Sequence, residues 1–231
     1  MLPQSQGKIF LAHERGLQEQ AGHRRYLTFN AEGFYNKHKT PFGALYALHE
    51  DTLEGGKSIS LSLQAATDIL LVPTVGAISW QDHTGQSGLV TAGQSLYYAG
   101  RKGAVLTITN PYDTALVNFL QWWFKCGTRT DITVAQLTNF DLQQHKDQLI
   151  AMGSQTYIGM FNGRATAVHT ITRHGHGLFV FVLEGAFEVQ HRLLNAGDGL
   201  ALWNIQEVEL EALSNDAIVL LAEVALMEEQ P

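Results

Sequence analysis

Apolar residues along this chain alternate with polar ones far more often than they recur at spacings of three and four. Residues 57–63 read K-S-I-S-L-S-L, which sets Ile59, Leu61 and Leu63 on one face of a strand and Ser58, Ser60 and Ser62 on the other. Residues 104–109 and 179–183 are rich in β-branched and aromatic side chains, which fit a pleated surface. Asp82-His83-Thr84-Gly85 predicts a hairpin turn, where glycine relieves the positive φ such turns need. Helical evidence is confined to one short helix expected over 141–152, with Asn139 or Asp141 as its cap. The 22 glycines, many at the ends of apolar runs, fit an all-β chain with many tight turns.

An internal repeat sharpens the reading. Val72-Pro73-Thr74-Val75-Gly76-Ala77 is similar to Val182-Leu183-Glu184-Gly185-Ala186, and after each come a strand, a turn and Ala-Gly-x-x-Leu. The first copy of that ending is Ala92-Gly93-Gln94-Ser95-Leu96 and the second is Ala196-Gly197-Asp198-Gly199-Leu200. Gly76 and Gly93 lie 17 residues apart, Gly185 and Gly197 only 12, and the difference falls in the hairpin loop, where length changes are best tolerated. Self-similarity offset by about half the chain marks a duplicated unit. The expected architecture is all-β, with two tandem jelly-roll β-barrels over 1–130 and 131–231 whose terminal strands are open to exchange. The boundary is expected between Cys126 and Asn139, where polar residues replace the alternating pattern.

Composition narrows the function classes. The 231 residues carry 15 Lys+Arg against 22 Asp+Glu, a formal net charge of −7. That balance argues against nucleic-acid binding, which needs cations to displace counterions from phosphates. No run approaches the roughly 20 apolar residues of a membrane span, and the first residues lack the basic and apolar blocks of a secretory signal. The single cysteine, Cys126, excludes an internal disulfide framework and is read as a cytoplasmic thiol.

Several segments then acquire a family likeness. Glu14-Arg15-Gly16, Phe34-Tyr35, Pro41-Phe42-Gly43-Ala44-Leu45, Glu50-Asp51 with Leu53 and Gly56, and Asn110-Pro111 together resemble the N-terminal signature of the pirin family of bicupins. Val182-Leu183-Glu184-Gly185 and the run from Gly197 to Trp203 resemble its C-terminal cupin. The resemblance covers nearly the whole chain. It implies two cupin barrels, with one divalent metal, iron or similar, in the N-terminal barrel of metal-bearing members. It also implies either flavonol cleavage with dioxygen, as for quercetin, or a role as a nuclear cofactor of transcription.

The family's ligands arrive as H-x-H on one strand and H-x-E on a later one, because residues i and i+2 share a face and two such pairs converge. Three imidazoles and a carboxylate suit Fe, Mn, Ni or Cu. Laid on this sequence without a gap, the H-x-H positions become Ser62 and Gln64, the H-x-E positions become Leu106 and Ile108, and the carboxylate that commonly follows falls at Asp68. No histidine remains and two positions are aliphatic. The corresponding positions of the second copy, Ile171, Arg173, Leu210 and Ala212, offer no ligand set either. The expectation is therefore no metal, no other cofactor and no catalytic residue, with Ser62, Gln64, Leu106 and Ile108 lining a vestigial pocket that is either open to a small molecule or filled by neighbouring side chains. The alternative is a relocated site at a histidine cluster of His169, His174 and His176. There Arg173-His174-Gly175-His176-Gly177 reads as a surface turn. Of Tyr97 and Tyr98, which alternate across a strand, one is expected to line the barrel. The leading expectation is a metal-free small-ligand-binding or protein-interaction bicupin. The alternative is a quercetin dioxygenase with a non-standard metal site.

Overall fold

The computed structural model describes residues 5–31, 33–126, 133–153 and 155–227. Among them there is no α-helix, and a 3₁₀ turn spans Ala12–Glu14. The strands gather into two compact units, one over Gly16–Asn139 and one combining the described residues of 1–15 with those of 140–227. The expected boundary at 130/131 lies outside the described residues. Residues 5–15 join the C-terminal half.

The N-terminal unit has a seven-stranded antiparallel sheet in the order Val134–Asn139, Gln94–Gly100, Thr67–Val75, Val117–Lys125, Leu45–Leu53, His23–Leu27, Gly16–Gln20. A four-stranded sheet, Ser58–Ser62, Val105–Thr109, Ala77–Asp82, Ser87–Thr91, lies over part of it. Their facing sides share one apolar core that includes Leu61, Leu63, Ile69, Leu71, Tyr98, Leu106, Ile108, Val117 and Phe119. Tyr98 is thus the inward tyrosine, packed edge-on against Trp80 with ring centroids 6.3 Å apart.

The C-terminal unit repeats this plan. Its six-stranded sheet runs Gln6–Phe10, Gly199–Trp203, His176–Glu184, Ala217–Ala225, Thr156–Phe161, Ile150–Gly153, and its small sheet runs Thr166–Thr170, Glu207–Ala212, Ala186–Val189, Arg192–Asn195. The sheets are open rather than closed barrels, so each unit is a jelly-roll-like pair of sheets. The repeated glycines occupy equivalent turns, Gly76 and Gly185 at φ +77° and +75°, Gly93 and Gly197 at +86° and +83°. A side chain at any of the four would strain the turn. The hairpin at Asp82 is as expected: Asp82 Oδ1 accepts hydrogen bonds from the Thr84 and Gln86 amides, and Gly85 has φ +89°.

The edge strands connect the two halves of the sequence. Gln6–Phe10 pairs with Gly199–Trp203, Gln6 opposite Trp203, at the edge of the C-terminal unit's sheet. Val134–Asn139 holds the equivalent edge in the N-terminal unit, against Gln94–Gly100.

The expected helix over 141–152 does not form; turns fill the segment up to the strand Ile150–Gly153. Asp141 does act like a cap, its Oδ1 accepting from the amides of Gln143 and Gln144 at 2.9 and 3.0 Å. The chain then leaves the helical path because Asp147 takes φ +61° and gives its amide to the Met160 carbonyl. Its carboxylate accepts from the amide and side chain of Asn162. Bonds to the neighbouring strand replace the helical ladder.

Candidate functional site

The large sheet of the N-terminal unit extends past the small sheet that covers it, and the inner face there turns polar. On Leu45–Leu53, residues His49 and Asp51 share the face of the core residue Leu53. The strand Val117–Lys125 presents Gln121 and Trp123 on the face of Val117 and Phe119, with Gln121 opposite His49 and Phe119 opposite Asp51. The strand His23–Leu27 adds His23, opposite Leu53, and Arg25, opposite Asp51.

Asp51 organises the cluster. Its side chain is fully buried, and Oδ1 accepts from His23 Nε2 at 2.5 Å and from Arg25 Nε at 2.7 Å. Oδ2 accepts from Gln121 Nε2 at 2.7 Å, and Gln121 Oε1 accepts from Trp123 Nε1 at 3.0 Å. Burial alone pushes the Asp51 carboxyl up, but the His23 hydrogen bond and the Arg25 charge outweigh it and hold the pKa below its usual value. His49, also buried, behaves in the opposite sense to a surface histidine. Burial first, then the Arg25 charge, press its pKa down to about 3, against the opposing pull of Asp51. The imidazole is therefore neutral near pH 7. Its ring lies 6.2 Å from that of Trp123, and its Nδ1 is buried with no hydrogen-bond partner. Arg25, Leu27 and His49 line an open concavity with Gln18, Ala31 and Gly33.

None of these residues was singled out from sequence as a site. A signal existed: in L-Y-A-L-H-E-D-T-L, His49 and Asp51 interrupt the apolar parity of Leu45, Ala47 and Leu53. Two polar groups at i and i+2 on a buried stripe need partners.

The residues singled out from the family pattern are not brought together. Leu106 and Ile108 are completely buried in the apolar core, with Leu106 opposite Leu61 and Ile108 opposite Ile59. Ser62 and Gln64 are exposed. The expected pocket lined by all four is thus corrected: Leu61 and Leu63 take the inward parity, because the period of two puts the serines on the outer face. Asp68 is half-buried, and its Oδ2 accepts from the Tyr97 hydroxyl at 2.5 Å. The histidine cluster is not assembled either. His169 is buried, with Nε2 donating to Glu223 Oε1 at 3.1 Å, whereas His174 is exposed in a turn at Gly175 (φ +75°) and His176 is half-buried. Among the described residues, no group of three or more His, Cys, Asp or Glu side chains is placed to hold a metal ion. The family's divalent metal does not fit the positions that would hold it: two are alkyl side chains in a sealed core, and two are weak donors on the outer surface.

The parity can be tested by restoring family residues. Ile108→Glu is expected to unfold the N-terminal unit, since a carboxylate there has no partner and burying one costs several kcal/mol. Ser62→His with Gln64→His is expected to stay within about 0.5 kcal/mol of wild type in urea unfolding. The reverse ranking would restore Ser62 and Gln64 to the interior.

Residues 137–224 match the family model of the quercetinase C-terminal cupin domain. The quercetin 2,3-dioxygenase of Escherichia coli K12 is 21% identical over 220 residues, covering 90% of this chain and 95% of that protein. The crystal structure of YhhW from Escherichia coli superposes with a TM-score of 0.84 at 20% identity, over 97% of this chain and 100% of the other. That of the bacterial pirin YhhW in complex with nickel(II) gives 0.80 at 18%, over 96% and 100%. No helix among the described residues is long and apolar enough to cross a membrane.

Proposed function

We propose that this chain, a pirin-like bicupin, binds a small organic molecule on the polar inner face of its N-terminal unit and does not use metal-assisted oxygen chemistry. The observation that carries the reading is the divided fate of that inner face. Where the family pattern calls for ligands, Leu106 and Ile108 pack into closed hydrocarbon. Beyond the small sheet, Arg25 and His49 border a concavity, and the buried His49 Nδ1 has no hydrogen-bond partner. A mostly pre-formed recess with a few convergent polar groups is the usual form of a small-molecule site. Within it Asp51 holds Arg25 in place through Nε, and Gln121, tied to Trp123, holds Asp51. That chain of bonds fixes the guanidinium before any ligand arrives, which lowers the cost of ordering it on binding.

The names of the curated relatives favour a second reading, a quercetin 2,3-dioxygenase working through a non-standard metal site. One pair of measurements separates the two. Elemental mass spectrometry on protein purified without a histidine tag is expected to find Fe, Ni, Mn and Cu all well below one per chain. Oxygen uptake with quercetin is expected to equal the protein-free background. Stoichiometric metal together with quercetin-dependent uptake would replace the first reading by the second.

A further inference from the structure

The recess beside Arg25 has features that name a ligand class, and the following rests on the reading above. The Arg25 side chain is 16% exposed and bonded through Nε to Asp51, and among the described residues no other hydrogen bond engages its guanidinium. Both Nη groups are therefore unspent. An arginine fixed by Nε presents them as a rigid fork, whose spacing matches the two oxygens of a carboxylate. His49 is the second half of the site. Its buried Nδ1 is unpartnered, and a buried polar nitrogen without a bond is destabilising until something supplies one.

The charges limit what can enter. Facing His49 are Arg25, Asp51 and His23, whereas Glu19 pairs with Arg24 and so belongs to the other face of the sheet. The buried Asp51 carboxylate already balances Arg25 from behind. One guanidinium already paired with Asp51 has charge left for a monoanion, whereas a dianion such as phosphate would meet the Asp51 carboxylate with an excess of negative charge. The recess also has a hydrocarbon side, formed by Leu27 and Ala31. We propose that the site takes a small monocarboxylic acid with an apolar body, its carboxylate forked on Arg25 Nη1 and Nη2 and touched by His49 Nδ1. His49 Nδ1 meets the carboxylate as a donor in the tautomer that carries the ring's single proton there.

Benzoate is a suitable probe, with benzamide as its neutral isostere and inorganic phosphate as the competing anion. Binding to the full chain is followed by calorimetry near neutral pH, at ligand concentrations up to about 10 mM, the range open to so small a molecule. Benzoate is expected to bind, and benzamide and phosphate to bind at least about tenfold more weakly, the loss that unpaired charged donors bring. Arg25→Lys keeps the charge on Asp51 but removes the fork, and His49→Leu removes the ring nitrogen. Each is expected to weaken benzoate by a similar factor. Ring ¹⁵N shifts of His49 in the wild-type protein give a readout that does not depend on either variant folding, and they are expected to move with benzoate alone. The proposal is overturned if benzamide or phosphate matches benzoate, if benzoate does not bind, or if binding survives both variants. Metal content measured on the same preparation keeps this outcome separate from failure of the metal-free reading.

Discussion

Asp51→Ala is expected to destabilise the N-terminal unit by about 3–5 kcal/mol, the range for removing one member of a buried ion pair. The substitution strips acceptors from three donors at once: His23 Nε2, Arg25 Nε and Gln121 Nε2. His23 and Arg25 keep 19% and 16% exposure and recover some hydration, which places the effect toward the lower end of that range. Gln121 is fully buried and recovers none. Asp51→Asn, which keeps one acceptor for Gln121, should lose less. The double change Arg25→Met with Asp51→Leu should recover much of the loss, because replacing both charges by hydrocarbon removes the penalty of leaving one alone. Urea unfolding followed by tryptophan fluorescence measures all three. A loss below about 1 kcal/mol for Asp51→Ala would mean that the cluster is solvated and that Asp51 does not organise it.

The second large effect is on pH. His49 is held at about 3 in the folded chain, while an unfolded histidine titrates near 6.5. Between those values the unfolded chain binds a proton that the folded one refuses, so protons favour unfolding. The contribution of a neutral His49 is complete above about pH 6.5 and is lost progressively as pH falls toward 3, at about 1.4 kcal/mol per pH unit. Asp51, also held low, adds its own loss only below the ordinary carboxylate range, near pH 4. The interval from pH 6 to 4 therefore reports mainly on His49. Wild type is expected to lose about 2–3 kcal/mol more than His49→Leu across it. Parallel curves for the two proteins would show that His49 takes up its proton in the folded state at an ordinary pKa, and that it is not buried.

The architecture was largely legible, because its signals are local. Alternation marked the strands Ser58–Ser62 and Val105–Thr109, and the repeated glycines marked two copies of one unit. The segment after Asp141 was misread, since a cap that begins a helix and one that begins a set of turns have the same side chain. Its fate was decided by Asp147 and its bonds to Met160 and Asn162. The site was misread for a different reason. Laying the family's ligand positions over residues 62 and 64 placed them inward, although the plain alternation of Ile59, Leu61 and Leu63 had already placed the serines outward. Ser62 and Gln64 followed the alternation. The polar cluster draws on three strands, and its members come from positions 23, 25, 49, 51 and 121. Only the pairing of those strands shows that one carboxylate serves all its donors.

The edge strand Gln6–Phe10 has a consequence for synthesis. Its partner Gly199–Trp203 is made much later. Roughly 190 residues must be added in between, a delay of about 10–40 s at ordinary elongation rates. The segment 16–139 carries all the strands of its own unit and can fold during that interval. The leading strand cannot, and it waits with its backbone donors and acceptors open to any passing sheet edge. Translation speed and chaperone occupancy of Gln6–Phe10 thus bear on the yield of the C-terminal half.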